Sequence, residues 1–110
     1  MTKIVNLTPH AINLLVDDKE IVIPPSGTVA RAATERRQID TIKINGVDVP
    51  VNKTVFGDVT GLPDPEPNTI FIVSMLVANA VPHRDDVFIV DDTVRDDEGR
   101  IIGAKALAHV

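Results

Sequence analysis

Thr69-Ile70-Phe71-Ile72-Val73 is an unbroken run of β-branched and aromatic residues in the second half of the chain. Such a run is typical of a central strand that is buried on both faces. Ser74 follows it and predicts a helix N-cap, because a serine hydroxyl accepts from a backbone N–H two or three residues later. A helix of about two turns is expected over 75–81, ended by Pro82. We therefore expect a core strand that leads directly into a short helix packed on the sheet.

The segments before this strand alternate apolar and polar residues and predict hairpins. Residues 3–7 form a short apolar segment that ends in the turn signal Thr8-Pro9-His10. Residues 11–16 and 21–23 then predict a hairpin around the polar tip 17–20. Asn45-Gly46 lies between two alternating runs and predicts a second hairpin, because both central residues of such a turn need positive φ.

The stretch 28–44 fits either a helix or strands at its beginning. Thr28-Val29 follows a Pro-Gly break and favours a strand, and 41–44 alternates as a strand does. After the Asn-Gly turn, 54–59 predicts a further short strand and 64–68 a rigid, exposed, proline-rich loop.

The C-terminal part predicts two further elements. Residues 87–90 form a strand that Asp91-Asp92 turns, and 93–107 form a hairpin with an acidic, glycine-ended turn. The fold class is therefore mainly β (α+β). We expect an antiparallel sheet or partly open barrel of short strands and hairpins, with one or two short helices.

The length and composition indicate a single domain, residues 1–110, and exclude several classes of function. The chain has no Cys, which excludes disulfides, thiolate metal sites and cysteine nucleophiles. Its net charge of −5 and its three Phe without Tyr or Trp argue against polynucleotide binding, which relies on basic surfaces and aromatic stacking. There is no signal peptide and no apolar stretch of membrane-spanning length, so we expect a cytoplasmic protein with no membrane partner.

Sequence signatures of catalysis are lacking. The chain has no P-loop, no GxGxxG and no HExxH motif, and Ser74 is better explained as a helix cap than as a nucleophile. Acidic residues bunch at 85–86, 91–92 and 96–98, which suits either a hard cation or solvated turns; turns are the commoner use of such pairs. We expect no enzyme activity, no metal and no cofactor.

The arginines are the more informative polar residues. Guanidinium groups bind phosphate oxygens in bidentate fashion, and arginines lie at polar stretches or strand ends where side chains can converge. The alternative is that they form surface ion pairs with neighbouring acids. Asn79 lies within the predicted helix at four residues from His83, so the two side chains either share a cleft or face solvent. The candidate phosphate ligands are Arg31, Arg84, Arg95 and Arg100.

Several short blocks together give the chain a resemblance to a known family. They span almost the whole chain, and none is a catalytic motif. The blocks are Asn6-Leu7-Thr8-Pro9-His10, residues 23–31, 56–63 and 73–78, Arg84-Asp85, and residues 94–96 and 99–103. In these the sequence resembles small phage-encoded proteins of the first-described Thoeris anti-defence type, which are nucleotide sponges.

The resemblance implies a binding protein rather than an enzyme. Such sponges hold a cyclic ADP-ribose immune signal intact, and some also hold cyclic oligonucleotides, in the cytoplasm of the infected bacterium. They associate as dimers or higher oligomers, up to hexamers. The resemblance assigns no binding residues. A sponge needs arginines for the phosphates, an amide for base and ribose, and an apolar wall, and the chemistry of the side chains leads us to expect these from Arg31, Asn79, Arg84, Arg95 and Arg100, with Phe71 or Phe88 as the wall.

Two functions of other classes stay open at this point. One is a small virion or assembly accessory protein that acts through protein–protein contacts. The other is a small hydrolase that uses Asp-bound Mg²⁺.

Overall fold

The computed structural model describes residues 2–110 and contains in that range eight strands and one helix. No helix among these residues is long and apolar enough to span a membrane. The strands are β1 (Lys3–Asn6), β2 (Ile12–Val16), β3 (Lys19–Ile23), β4 (Arg31–Ile44), β5 (Val47–Thr60), β6 (Thr69–Ile72), β7 (Val87–Arg95) and β8 (Ile101–Ala108), and the helix is α1 (Met75–Ala80).

Six strands form a curled half-barrel sheet in the order β1-β6-β7-β8-β2-β3, and β4 and β5 form a second sheet. The mainly β prediction is confirmed. The curled sheet is mixed: β6 lies parallel to both β1 and β7, and β2 lies parallel to β8. The predicted central strand is therefore confirmed as a strand with neighbours on both sides. Phe71 and Ile72 are 1% and 0% exposed, so both of its faces are covered.

The two faces of the curled sheet carry separate core clusters, because successive side chains of a strand point to opposite faces. Phe71 belongs to the cluster that also receives α1 and the first residues of β4. Ile72, its neighbour in sequence, belongs to a smaller cluster with Leu14 and Ala104. The chain thus packs its helix on one face of the sheet and its β2–β3 hairpin around the other.

The predicted helix and its cap are confirmed. The Ser74 hydroxyl accepts a hydrogen bond from the Val77 backbone N–H at 3.4 Å. The helix ends at Ala80, two residues before Pro82, which cannot continue it. Val77 and Ala78 are buried against the sheet, which stabilises a helix too short to form alone.

The second sheet is a long two-stranded hairpin, residues 31–60, here called the arm. The Asn45-Gly46 turn is confirmed, with φ of 50° and 80° at its two residues. The strands on each side are far longer than the short segments predicted, since β4 and β5 each run for 14 residues. The arm gives the molecule extents of 58 × 39 × 21 Å and a radius of gyration of 17.6 Å. A compact chain of this length has a radius of about 13 Å.

Three local predictions need correction. Thr28-Val29 is irregular, and the strand begins only at Arg31. Asp91-Asp92 does not turn the chain; β7 continues through it to Arg95, and Asp92 has a φ of 51°. The tip of the first hairpin is the two-residue turn Asp17-Asp18, because Lys19 already pairs with Val16. Asp17 and Asp18 in the hairpin turn and Asp92 within β7 all have positive φ, which aspartate tolerates better than most residues do.

The loop after β1 is held by the side chain of Asn6, which is 1% exposed. Its Nδ2 donates to the carbonyls of His10 at 2.8 Å and Ile23 at 3.1 Å. Its Oδ1 accepts from the backbone N–H and the hydroxyl of Thr8 at 2.9 and 2.7 Å. The Asn6 carbonyl accepts from the Ser26 N–H at 3.0 Å. One amide therefore fixes the path of the 7–10 loop and joins it to the end of β3.

Replacing Asn6 by Ala should destabilise the fold by about 2–4 kcal/mol, because buried backbone groups lose their partners. Asn13→Ala serves as the control, since Asn13 makes one hydrogen bond, at 3.3 Å to the Ile102 carbonyl. We expect the control to cost less than about 1 kcal/mol. Urea unfolding of the three proteins measures both values. Equal losses for the two variants would contradict the role given to Asn6.

Candidate functional site

An open concavity lies where the start of β2 meets β8. It is a cleft of about 560 Å³, a size typical of small-molecule sites. Its walls are aliphatic, with two polar side chains at one side. The lining residues are His10, Ala11, Ile12, Asn13, Val90, Ile101, Ile102, Gly103 and Ala104.

Two smaller clefts adjoin this one, and each shares two lining residues with the next. A cleft of about 250 Å³ shares Ile12 and Val90 with the first and reaches Thr8 and Ser74. A third, of about 240 Å³, shares Thr8 and Ser74 with the second and ends at Arg31. We call these three clefts together the groove.

The middle of the groove lies at the carboxyl ends of two parallel strands. β1 ends at Asn6 and β6 ends at Ile72, and the loops that follow supply Thr8 and Ser74. In sheets with parallel strands, ligands commonly bind in the crevice outside these ends. The hydrogen bonds of Asn6 therefore position one wall of the groove directly.

Of the predicted arginines, Arg31 lines the groove, and Arg95 and Arg100 are neighbours of Ile101 at its other end. Arg31 lines one end, at the point where the arm leaves the curled sheet. At the other end, Arg95 is the ladder partner of Ile101, and Arg100 precedes Ile101 in sequence. The ladder register shifts between Val94 and Arg95, and neither Arg95 nor Arg100 lines the cleft itself. Of the four predicted arginines, the structure thus places Arg31 in the groove and Arg95 and Arg100 next to Ile101, a residue that lines it.

The arginines at the far end already have partners. Arg95 donates to the Gly99 carbonyl at 2.7 Å. Arg100 pairs with Asp96 at 3.3 Å and with Glu98. Asp96 in turn accepts from the backbone N–H groups of Glu98 and Arg100, both at 2.9 Å. Asp96 therefore stabilises the turn, and Asp96 and Glu98 together hold the side chain of Arg100.

Arg84 lies elsewhere. Its guanidinium donates twice to Asp86, both at 2.8 Å, and once to the Pro63 carbonyl at 3.1 Å. It lines a separate cavity of about 120 Å³ together with His83 and His109. Arg84 is therefore an arginine that forms an ion pair with a neighbouring acid, which was the alternative to phosphate binding. Its side chain is only 16% exposed and is held by the Asp86 carboxylate.

The remaining predicted residues also lie outside the groove. Phe71 is enclosed in the core, and Phe88 stacks on His109 with ring centroids 4.3 Å apart. Asn79 is exposed on α1. Because α1 ends at Ala80, helical spacing does not extend from Asn79 to His83, and of the two only His83 lines the 120 Å³ cavity.

His10 and Asn13 are the polar groove residues that sequence reasoning missed. Neither has a motif around it, and His10 reads as part of a turn. The signal that was available is alternation: Asn13 is a polar residue between Ile12 and Leu14 in a strand, so it faces away from the Leu14 core.

No protein-family model, curated protein or solved structure matches this chain. The resemblance to nucleotide sponges therefore stays a prediction, and the groove is interpreted from its own residues.

The Arg84–Asp86 pair should make stability depend on pH. Hydrogen bonds from Arg84 lower the pKa of the Asp86 carboxyl, and the same contact raises the pKa of Arg84. A carboxyl with a lowered pKa stabilises the fold above its unfolded pKa of about 3.9, and the effect is lost as pH falls through the folded pKa. Asp86→Asn should therefore cost about 1–2 kcal/mol near pH 7.

The cost of Asp86→Asn should shrink toward zero when the pH falls below the folded pKa of Asp86. Urea unfolding across about pH 2–7, a range from roughly two units below an aspartate pKa to neutral pH, measures this. Asp85→Asn is the control, because Asp85 is exposed and forms no salt bridge within residues 2–110. A pH-independent cost for Asp86→Asn would show that lost packing, not charge, is responsible.

Proposed function

We propose that the protein binds a cyclic nucleotide signal, such as a cyclic ADP-ribose isomer, in the groove and sequesters it without cleaving it. The observation that carries this proposal is an apolar groove that Arg31 lines at one end and that has Arg95 paired with the lining residue Ile101 at the other. A cyclic nucleotide has matching chemistry, since it combines flat bases with phosphate charges on one small molecule. The ligand class comes from the resemblance to nucleotide sponges.

The apolar floor suits a base or ribose ring. Ile12, Val90 and Ile102 offer aliphatic surface in place of the aromatic stacking that is scarce in this chain. Asn13 donates one N–H to the Ile102 carbonyl and forms no other side-chain hydrogen bond within the described residues. Its carbonyl oxygen and second N–H are then available to a base edge, which presents donors and acceptors side by side.

The arginines suit phosphates to different degrees. Arg31 is exposed and has no salt bridge within residues 2–110. Arg95 uses one of the five N–H donors of a guanidinium on Gly99, which leaves donors for a phosphate. Arg100 would have to share its charge between a ligand and two carboxylates. We therefore expect Arg31 and Arg95 to contribute most to affinity.

The overall charge of −5 is compatible with such a ligand. A single small phosphate ligand needs a local positive potential rather than a basic surface. The proposed setting is the cytoplasm of a phage-infected bacterium, where capture of the signal would keep an immune effector inactive.

The proposal predicts a rise in melting temperature when the pure protein is mixed with cyclic ADP-ribose isomers or with cyclic di- and trinucleotides. A ligand at about one hundred times its Kd should raise Tm on the order of 10 °C for a domain of this size. Heating the complex should return the ligand intact by mass spectrometry. Recovery of cleaved product would favour a hydrolase, and no shift with any nucleotide would overturn the proposal in favour of an assembly protein.

Substitutions in the groove localise the site. Arg31→Ala and Arg95→Ala should each weaken binding about 10–100-fold, the value of one charge-assisted hydrogen-bonded contact. Arg36→Ala removes the same charge from the middle of the arm, away from the groove, and should leave Kd within about twofold. Isothermal titration with the ligand found in the screen gives all three values. Equal losses in all three would indicate a nonspecific charge effect.

A further inference from the structure

Among the described residues, none that lines the cleft of about 560 Å³ carries a permanent positive charge. The polar side chains of that cleft are His10 and Asn13. The arginines of the groove lie in another cleft or beside the wall residue Ile101. Burying a phosphate against aliphatic walls is costly unless a charged or hydrogen-bonding partner meets it. Of the two polar side chains, His10 is the one that can become a cation.

The backbone of His10 is fixed, whereas its ring is uncommitted. The His10 carbonyl accepts from Asn6 Nδ2 at 2.8 Å and from the Thr8 hydroxyl at 3.0 Å. The His10 side chain is exposed, and its ring forms no hydrogen bond or salt bridge with any other described residue. His109 differs, because a nitrogen of its ring lies 3.0 Å from the Val87 carbonyl. The fold therefore holds the main chain of His10 beside the cleft and leaves the ring nitrogens to a ligand.

The charged groups around the groove do not neutralise a protonated ring at His10. In the part of the chain that the structure describes, the titratable side chains that line the three clefts are His10 and Arg31. β2 and β8 supply uncharged residues to the cleft. β7 supplies one aliphatic residue, and Asp91 next to it projects to the opposite face, because side chains alternate along a strand. The charges beside the β8 wall belong to Arg95 and Arg100, and Arg100 already pairs with two carboxylates.

A histidine at this position serves a nucleotide either by stacking on a base or by binding a phosphate. The walls formed by Ile12, Val90 and Ile102 already offer apolar surface to a base. A protonated imidazole offers two N–H donors and a positive charge, and a phosphate oxygen accepts from such donors in short, strong hydrogen bonds. Because the cleft has apolar surface and lacks a permanent cation among its described residues, the observations favour the phosphate.

We propose that His10 binds a phosphate of the captured nucleotide as an imidazolium, so that mildly acidic pH tightens binding. This inference rests on the proposed function and adds a binding residue and a pH dependence to it. A nearby phosphate favours the charged ring, so a protein with a neutral His10 takes up a proton when the nucleotide binds. Affinity therefore rises as the pH falls through the range around about 6.5 in which imidazoles ordinarily titrate.

Isothermal titration at two pH values tests the proposal. The probes are the cyclic ADP-ribose isomers and the cyclic di- and trinucleotides named above. Each is titrated at about pH 5.5 and about pH 7.5, roughly one unit on either side of the ordinary imidazole value. A nucleotide that binds should have a Kd about five- to tenfold lower at the acidic pH. Near neutral pH, titrations in buffers of different ionisation heat should show uptake of part of a proton per nucleotide bound.

Two substitutions assign the pH dependence to one ring. His10→Gln keeps an N–H donor but cannot become charged, so its Kd should agree within about twofold at the two pH values. His83→Gln removes an exposed histidine that lines the separate 120 Å³ cavity, and it should keep the wild-type pH profile. Because the His10 ring has no partner among the described residues, His10→Gln should keep the wild-type Tm when no nucleotide is present.

The outcomes separate this inference from the proposed function. A wild-type Kd that does not change with pH, or a pH dependence that survives in His10→Gln, would overturn the role of His10 and leave capture itself standing. Wild-type affinity in His10→Phe, which keeps a ring without N–H donors, would show that the ring stacks on a base. Absence of binding by all of the probes at both pH values would overturn the inference and the proposed function together.

Discussion

The side chain of Asn6 is the contact on which the groove depends. A buried amide is tolerated only when its donors and acceptors are paired, and Asn6 pairs them with Thr8, His10 and Ile23. These partners belong to the loop after β1 and to the end of β3, two segments that do not lie beside each other in the sheet. The Asn6 side chain therefore links β1 and β3, the two edge strands of the half-barrel, which are not paired with each other in the sheet.

The two sides of the groove are held by different contacts. On one side, Thr8 and the His10 carbonyl are hydrogen-bonded to the Asn6 amide. The other side is the β7–β8 hairpin, where the ladder register shifts between Val94 and Arg95 and the salt bridges of Arg100 lie near the surface. A ligand that competes for Arg95 or Arg100 would act on the hairpin and leave the wall behind it unchanged.

Local rules account for the features that were predictable from the sequence. The core strand, the Ser74 cap and the Asn-Gly turn each depend on neighbours within a few residues, and the structure confirms all three. The parallel pairings and the joining of three clefts depend on contacts between distant segments, which periodicity does not encode. The arm was divided into shorter strands because its charges interrupt the alternation at 35–37, where both faces are exposed and no core selects apolar residues.

The pairing of β1 with β6 has a consequence for how the chain folds. Lys3 pairs with Thr69 and Leu14 with Ala104, so β1 and one side of β2 find their neighbours only in the second half of the chain. Such nonlocal pairings slow folding, because a long loop must close before any contact stabilises it. The hairpins 12–23 and 31–60 close locally, and both precede β6 in the chain. We therefore expect these hairpins to form early and the curled sheet to assemble last, around both ends of the polypeptide.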